Sequence, residues 1–488
     1  MGIFDRFRSS GQPVVDSTKK KSDTSEQDAT RLIDEGHALE AEGRLDEALQ
    51  RYLEAIRVAP NPARAHLNHG NVLLLKGDLP GALDAFRTAI KHNPDYAGAY
   101  YNLGNALLGN GQIDEAVTSY HEALEINPDY AEVHCVLGIA LRERGQIDDA
   151  ITNFQRAIKI NPDLVEARYN LSSLLLSLGQ YTEAWPKYEA RYHPNINGRY
   201  VILPDVSFPQ WQGEPLTGKS LVIWPEQGFG DEIQFARYIP LLKIRGVSRI
   251  TLVCKSPLKA LLGTLEGVDA VVSQSEAASL PIHDYWTFSM SVPLHFSTTV
   301  ETIPAKLPYL GVLPDRLKLW RGRLPTGGLK VGLVWKGSAG HKNDANRSLP
   351  GLSTLVPLWS VPGVTFFSLQ KGQGEEEAAT PPSDQPIAHL GSDIQDFADT
   401  AAIVAQLDLV ISIDTAIVHL AGALNKPCWV LLPASGTDWR WLRERTDSPW
   451  YPGVMRLFRQ SKAGDWAETI GEVAQALETW VDEHGDAI

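Results

Sequence analysis

Apolar and polar positions follow two different patterns along this chain, and the pattern changes near residue 200. In the first part, small, aromatic and proline positions recur every 34 residues. Small residues at helical spacing let paired helices approach closely, and a proline ends each second helix. The recurring positions are Gly36, Gly70, Gly104 and Gly138; Ala48, Ala82, Ala116, Ala150 and Ala184; Pro60, Pro94, Pro128 and Pro162; and Tyr52, Phe86, Tyr120, Phe154 and Tyr188.

This period is typical of tetratricopeptide repeats, which are helical hairpins stacked into a solenoid. Four complete units and a fifth that ends near Arg191 predict an α-solenoid over residues 28–198. Residues 1–27 are polar, and we expect them to form a disordered tail. In the fifth unit Ser172 replaces the glycine and the final proline is missing, as expected of a repeat that docks onto something else.

Asparagines recur two residues before the Gly/Ser position, at Asn68, Asn102 and Asn170. The first helix of each pair lines the concave face of such an array, where side-chain amides can pair with a peptide backbone. The series resembles the asparagine ladder of the O-GlcNAc transferase repeats, which implies peptide binding. It is interrupted by Asp34 and Val136, and asparagine is also a common filler in such repeats, so both interpretations stay open.

Beyond an irregular connector at 199–217, short β-rich runs alternate with helical stretches. This alternation predicts parallel sheets with helices on both faces. We expect two Rossmann-like domains facing each other across a cleft, at 218–314 and 327–462, and an amphipathic helix at 463–488 that braces them. The predicted strands are 219–224, 249–254, 269–272 and 284–288 in the first set and 329–335, 364–370, 408–413 and 427–432 in the second.

Composition and net charge limit the classes of partner and the cellular compartments that we expect for the protein. Lys+Arg 45 against Asp+Glu 59 gives a net charge of −14, which argues against a nucleic-acid binder. No run approaches the ~18 apolar residues of a membrane span. Cys135, Cys254 and Cys428 lie far apart in apolar contexts, which is typical of buried thiols in a reducing compartment. The sequence therefore predicts a cytoplasmic protein without a membrane span.

The stretch EQGFGDEIQ (226–234) follows the first predicted strand. Ligands of parallel α/β sheets gather at the carboxyl ends of strands. A dinucleotide fingerprint would require glycine at position 233, which is isoleucine, so that interpretation is weak. The spacing leaves two roles for Asp231 equally open, a helix N-cap and a general base aimed into the cleft.

Two further strand ends carry candidate chemistry. In SIDTAIVHLAGALNKP (412–427), Asp414, Thr415 and the following backbone amides form a predicted anion site at a helix N-terminus. His419 lies one turn further, either as a ligand contact or as a core residue. The loop WKGSAGHKNDANRS (335–348) holds Lys336, Lys342 and Arg347, which suit a diphosphate unless the loop is simply solvated.

Taken in order, these segments resemble a known enzyme family. GFGDEIQFARYIP and DTAIVHLAGALNKP are similar to segments of the heptosyltransferases of glycosyltransferase family 9. VGLVWKGSAGHKNDANRSLP, FFSLQKG and DWRWLRERTDSPWYP look like bacterial proteins that fuse tetratricopeptide repeats to such a domain. The resemblance covers nearly all of residues 30 to 460 and implies the GT-B fold of two Rossmann-like domains.

The resemblance also implies roles for single residues. Asp231 would be the general base on the acceptor, and the other positions would bind the nucleotide-sugar donor. Ala416 replaces the family's usual glycine, and Lys336 replaces a small residue where it would add a phosphate contact or change the donor. The implied donor-binding residues are Lys336, Lys342, Arg347, Gln370, Asp414, Thr415 and His419.

The implied activity is sugar transfer from a nucleotide sugar to an acceptor recruited by the repeats. The array favours a protein acceptor, with a bacterial surface protein such as flagellin as one candidate. Inversion in a single displacement follows from the family, and since the chain has no Asp-x-Asp we expect no metal or other cofactor. Two alternatives stay open: a glycan or lipopolysaccharide acceptor, and an interaction scaffold whose transferase domain is inactive.

Overall fold

The structure is a computed structural model that describes residues 22–196, 201–324 and 328–484. The chain divides into two compact units, Met1–Ser172 with Ala190–Arg199 and Ser173–Glu189 with Tyr200–Ile488. The predicted tail at 1–21 lies outside the described residues. Within them, no helix has the length and apolarity needed to cross a bilayer.

The first unit is an array of helical hairpins, which confirms the predicted solenoid. Sequential helices pair tightly because the turns between them are short. Helix α9 begins in this unit and ends in the second. The helices are α1 (Ser22–Ala41), α2 (Leu45–Val58), α3 (Ala63–Leu75), α4 (Leu79–His92), α5 (Ala97–Gly109), α6 (Ile113–Ile126), α7 (Ala131–Glu143), α8 (Ile147–Ile160) and α9 (Val165–Ser177).

Helix α1 begins before the predicted end of the disordered tail. Residues 22–27 are helical, whereas the sequence analysis assigned them to the tail. The stretch from Ser22 to Glu35 contains neither glycine nor proline, so nothing in its backbone chemistry stops the helix from extending toward the N-terminus. A polar composition is compatible with a helix when one face still packs, as Ala29, Leu32 and Ile33 do.

The glycines at the 34-residue period are required by close packing inside each hairpin. A Cβ on Gly104 would lie 2.5 Å from Cε1 of Tyr120, which stands on the second helix of the same hairpin. Gly36, Gly70 and Gly138 meet the aromatic ring of their own hairpin in the same way. The recurring glycine and the recurring aromatic residue are therefore the two sides of one close contact, which is formed once in each hairpin.

Replacing Gly104 with alanine tests this contact. We expect Gly104→Ala to lower the free energy of unfolding by about 1–3 kcal/mol, because the Tyr120 ring is buried and has to shift. Urea denaturation followed by circular dichroism measures the loss. Gly98→Ala in the same helix is the control, since its Cβ would come no closer than 3.3 Å, to the half-buried Tyr96 ring, which can shift more easily than the buried Tyr120 ring. Equal stability of the two variants would contradict the packing argument.

The second unit contains the parallel sheets that the alternating pattern predicts. The first sheet has the strand order β3-β2-β1-β4, and all its pairs are parallel. Its strands are β1 (Ser220–Trp224), β2 (Arg249–Cys254), β3 (Ala270–Ser273) and β4 (Tyr285–Phe288). The helices before and among them are α10 (Tyr181–Tyr188), α11 (Phe229–Phe235), α12 (Ile239–Ile244), α13 (Lys259–Leu262) and α14 (Val292–His295).

The second sheet has the order β10-β9-β8-β5-β6-β7 and is also parallel throughout. Its strands are β5 (Leu329–Val334), β6 (Val364–Ser368), β7 (Ala388–His389), β8 (Leu409–Ile413), β9 (Cys428–Leu432) and β10 (Met455–Arg459). The helices of this part are α15 (Pro314–Arg321), α16 (Asp344–Arg347), α17 (Glu375–Ala379), α18 (Phe397–Val404), α19 (Ala416–Ala423) and α20 (Ala467–His484). The buried face of α20 joins the core of this sheet through Ile470, Val473 and Leu477.

All eight predicted strands are present, with ends that differ by at most two residues. Two strands were not predicted: β7, which is only two residues long, and β10, in which Arg456 and Arg459 flank the apolar pair Leu457 and Phe458. The described part of the connector contains no helix, and it pairs with β4. Trp211 N donates to Trp286 O at 2.7 Å, and Trp286 N donates to Pro209 O at 3.0 Å.

Helix α10 belongs to the second unit, although its sequence is that of the last repeat. Trp185 is buried, and its Nε1 donates to the carbonyl oxygen of Thr298 at 2.9 Å. Its ring lies 5.6 Å from that of Trp439, and Tyr181 and Tyr188 also pack on Trp439. Residues Ser173–Glu189 of the fifth repeat therefore belong to the second unit, whereas Ala190–Arg199 return to the first, whose last residue lies beside the predicted boundary at residue 198.

Candidate active site

The glycine-rich turn after β1 holds Asp231 by its own backbone. Gly228 is the N-cap of α11, and Asp231 stands three residues later, at the third helical position. Gly228 N donates to Asp231 Oδ2 at 2.7 Å, which is half of a capping box. Helix α11 thus begins at Phe229, and Asp231 closes its first turn without being the N-cap, one of the two roles that the spacing left open.

The other oxygen of Asp231 is paired with Arg440, which the sequence analysis did not single out. Arg440 Nη2 lies 2.5 Å from Asp231 Oδ1, and Arg440 Nη1 lies 3.1 Å from Asp438 Oδ2. Asp438 Oδ1 also accepts from Arg440 N at 3.0 Å and caps the short 3₁₀ turn Trp439–Trp441. Arg440 is only 6% exposed, so this is a buried ion-pair network.

A second glycine lets α11 lie directly against α19. A Cβ on Gly230 would lie 2.6 Å from Cδ2 of His419. The imidazole is buried, its Nδ1 is 3.0 Å from the Tyr451 hydroxyl, and it stacks on Trp441 with 5.5 Å between ring centroids. Burial and the charges of Arg440 and Arg237 hold the pKa of His419 well below its usual range, so the ring is neutral at pH 7.

Asp414 and Thr415, the side chains of the predicted anion site, lie between the end of β8 and the start of α19. Thr415 is the N-cap, and its hydroxyl accepts from Ile417 N at 3.3 Å. Arg347 Nη1 donates to the Asp414 carbonyl oxygen at 3.0 Å, and Arg347 Nε donates to Asp344 Oδ1 at 3.3 Å. The loop after β5 and the end of β8 are thereby joined at the carboxyl edge of the second sheet.

Carboxyl groups outnumber guanidinium groups in this cluster, and the pKa values of both kinds of group are shifted as a result. Burial, together with the nearby Asp438 carboxylate, raises the pKa of Asp414 to about 6. Burial also raises the pKa of Asp438, although the charge of Arg440 opposes that change. Burial alone would lower the pKa of Arg440, but the carboxylates of Asp438, Asp231 and Asp414 outweigh it and raise that pKa. The arginine therefore stays charged while Asp414 can take up a proton near neutral pH.

Two of the remaining predicted donor-binding residues, Lys336 and Gln370, already form hydrogen bonds to backbone atoms of this part of the structure. Lys336 Nζ donates to the Pro350 carbonyl oxygen at 2.7 Å. Gln370 is buried: its Oε1 accepts from Trp335 N and Lys336 N, and its Nε2 donates to the carbonyl oxygens of Lys336 and Gln373. Gln370 thus joins the ends of β5 and β6 through its whole amide group. Lys342 is exposed on the loop after β5.

Two of the three predicted peptide-binding asparagines are buried within the array. Asn102 Nδ2 donates to Asn71 Oδ1 at 2.8 Å, and Asn170 Nδ2 donates to the Glu166 carbonyl oxygen at 2.9 Å. Asn68 is 8% exposed, and its Nδ2 has no hydrogen-bond partner among the described residues. Asn102 and Asn170 thus already use their side-chain N–H groups within the array, whereas Asn68 does not do so within the described part of the chain.

A second acidic residue in the glycine-rich segment holds the turn in place. Glu232 is buried, and its carboxylate accepts from Lys255 N at 3.1 Å and from Lys255 Nζ at 2.9 Å. The same ammonium also donates to the Gln227 carbonyl oxygen. Burial raises the pKa of Glu232, and the Lys255 charge limits that rise. The neighbouring acids of this segment therefore have different surroundings, one facing β2 and the other facing Arg440.

Comparison with known proteins identifies the repeats. Family models described as TPR repeat and tetratricopeptide repeat match residues 70–111, 95–163, 33–90 and 135–196. Solved structures are similar to about a third of the chain. MamA of Desulfovibrio magneticus is 21% identical, with 33% of this chain and 90% of that chain covered and a TM-score of 0.29. A thermophilic TPR protein of Thermus thermophilus is 27% identical, with 33% and 88% covered and a TM-score of 0.29.

One curated relative is similar over a longer stretch. Protein FlbA of Caulobacter vibrioides is 32% identical over a match of 319 residues that covers 60% of this chain and 52% of FlbA. The chain therefore spans about half the length of this relative. The covered 60% of this chain is longer than the repeat array and the segment before it together. The similarity to FlbA therefore extends into the α/β part. The first part of the chain is thus a tetratricopeptide-repeat array, and it is followed by parallel α/β sheets.

The contact between α11 and α19 can be tested at Gly230. We expect Gly230→Ala to lower the free energy of unfolding by about 1–3 kcal/mol, because the added methyl meets the buried His419 ring. Gly471→Ala in α20 is the control: its Cβ would have open space, and alanine favours a helix over glycine by about 1 kcal/mol. Thermal denaturation of both variants decides, and an unchanged Gly230→Ala variant would reject the close contact.

Proposed function

We propose that this protein is a GT-B-type glycosyltransferase that moves a sugar from a nucleotide sugar to a protein acceptor recruited by its repeats. One observation carries the proposal. The contact between α11 and α19 joins the carboxyl edges of two parallel sheets, and it sets the Asp231 carboxylate beside the strand end that bears Asp414 and Thr415. Carboxyl edges of this kind are where α/β proteins bind substrates.

In the proposed reaction, Asp231 takes the proton from an acceptor hydroxyl. The acceptor oxygen then forms a bond to the anomeric carbon of the sugar, while the bond from that carbon to the donor's phosphate oxygen breaks. Arg347, with Lys336 and Lys342 on the same loop, would hold the departing phosphate together with the N-terminus of α19. His419 and Gln370 would shape the donor site. Inversion and independence from metal follow from the family resemblance.

Asp231 retains the capacity for this role despite its two partners. Each oxygen of a carboxylate offers more than one lone-pair direction, so Gly228 N and Arg440 do not exhaust its acceptor capacity. The same two bonds also favour the alternative of an interaction scaffold with an inactive transferase domain. In that case Asp231 would serve only to close α11 and to pair with Arg440, and a nucleotide would not bind.

The acceptor side of the proposal rests on the repeats. Tetratricopeptide arrays present an extended concave surface of the kind that binds polypeptides. A bacterial surface protein such as flagellin, glycosylated in the cytoplasm, is the acceptor class that fits best. The first alternative is a glycan or lipopolysaccharide acceptor, with the repeats serving for assembly.

The donor and the base are tested together. We expect one member of a panel of nucleotides (UDP, GDP, CDP, ADP and CMP) to raise the melting temperature of the full chain, because a bound ligand stabilises the folded state. With the matching nucleotide sugar, Asp231→Asn should keep the fold and lose turnover by about a hundredfold or more, the usual contribution of a general base. Mass spectrometry of the acceptor measures turnover.

The control is Asp447→Asn, which removes one acid from the exposed pair of Arg445 and Asp447. It should retain full turnover. If no nucleotide stabilises the protein, the scaffold alternative replaces the proposed function. If Asp231→Asn still transfers sugar, the base assignment is wrong.

The acceptor class is tested by capture. We expect the full chain to retain a polypeptide from an extract of its source cells, and we expect the captured polypeptide to gain the mass of one or more sugars when the donor is added. Intact-mass spectrometry reads out both acceptor and sugar. Transfer to the lipid or glycan fraction instead of the protein fraction would favour the glycan acceptor.

A further inference from the structure

Arg440 lies in the segment 438–452, whose charged side chains have no part in the transfer described above. Its guanidinium pairs with Asp231 at 2.5 Å and with Asp438 at 3.1 Å. Among the described residues, its buried Nε has no hydrogen-bond partner. A buried guanidinium therefore stands between the proposed base and the second sheet, with one donor left over.

The surroundings of Arg440 include the proposed phosphate site. The acidic groups close enough to stabilise its charge are Asp438, Asp231 and Asp414, and Asp414 directly precedes the N-cap of α19. Arg347, a cation of the loop after β5, already pairs with Asp344 and binds the Asp414 carbonyl oxygen. A phosphate that enters at α19 thus meets two arginines that already hold carboxylates.

We propose that Arg440 is a shared partner of Asp231 and of a nucleotide phosphate bound at the N-terminus of α19, so that the two anions compete for one guanidinium. The inference rests on the proposed function, since it requires a nucleotide in this site. Arg440 would bind the phosphate directly, and its effect on the proton transfer would act through Asp231.

The chemistry of the guanidinium supports the competition. Its planar fork matches a carboxylate or a phosphate, and the amides at the start of α19 favour the phosphate position. Asp438 stays with Arg440 in either case, because its other oxygen caps the turn that carries the arginine. A phosphate would therefore draw Arg440 from Asp231 and free an oxygen of the base for the acceptor hydroxyl. Donor binding would precede activation of the acceptor.

Nucleotide affinity tests this without any turnover. Isothermal titration of the full chain with UDP, GDP, CDP, ADP and CMP identifies the nucleotide that binds. We expect Asp231→Asn to bind that nucleotide about three- to tenfold more tightly, because the competing carboxylate is gone. The asparagine side-chain oxygen can still accept from Gly228 N, so α11 keeps its first turn. Arg440→Met should bind about tenfold more weakly, and Arg440→Lys should recover part of the loss.

The double variant separates competition from a general loss of negative charge. If Asp231 acts through Arg440, then Asp231→Asn should bring no gain in the Arg440→Met background. A gain of the same size in both backgrounds would mean that Asp231 merely repels the phosphate, and it would overturn the inference. Should Arg440→Met fail to fold, the same comparison is made in the Arg440→Lys background, where the gain should shrink.

Asp447→Asn serves as the control for net charge, since it neutralises an acid that is paired with an exposed arginine. It should bind the nucleotide as the unaltered protein does. If the unaltered protein binds a nucleotide and Asp231→Asn binds it no more tightly, the competition is refuted and the proposed function stands. If neither binds any nucleotide, the proposed function falls, and the inference falls with it.

Discussion

The direct contact of α11 with α19 is the constraint on which the second unit depends. It exists because Gly230 has no side chain at the point where the His419 ring approaches. Each helix begins at the carboxyl end of a strand, one in each sheet. The carboxyl edges of two sheets that are separate in sequence therefore meet, and Asp231 and Arg440 pair where they meet.

Two buried arginines stabilise the region where the sheet edges meet, and the buried charge of each is compensated in a different way. Arg440 is matched by carboxylates from both sides of the contact. Arg237 instead donates to the carbonyl oxygens of Gln234 and Pro304, and its guanidinium lies 4.5 Å from the Tyr451 ring centroid. Buried charge is costly unless it is paired, so these contacts fix the geometry narrowly. The same pairing occupies the groups that a substrate would use, which is why charge competition governs the proposed chemistry.

Helix α10, the second helix of the last repeat, belongs to the α/β part because of its aromatic residues. Tyr181, Trp185 and Tyr188 form the buried face of α10 and pack around Trp439, the neighbour of Arg440. A helix read from the sequence as part of the array is thus a component of the candidate active-site unit. The position of Arg440 consequently depends on α10 as well as on the second sheet.

The amino-acid sequence by itself determined the repeat array and the parallel strands, because both arise from periodic patterns within short segments. It also indicated Asp414 and Thr415, which directly follow β8, and Asp231, which lies in the first turn of α11, the helix that follows β1. It did not indicate Arg440 as the partner of Asp231, from which it is 209 residues distant along the chain. Nor did it show that the side-chain amides of Gln370 and Asn102 form hydrogen bonds within the protein. Those facts were decided by tertiary structure, because a residue's local pattern fixes its element and its face, whereas its hydrogen-bond partners depend on which distant element packs against that face.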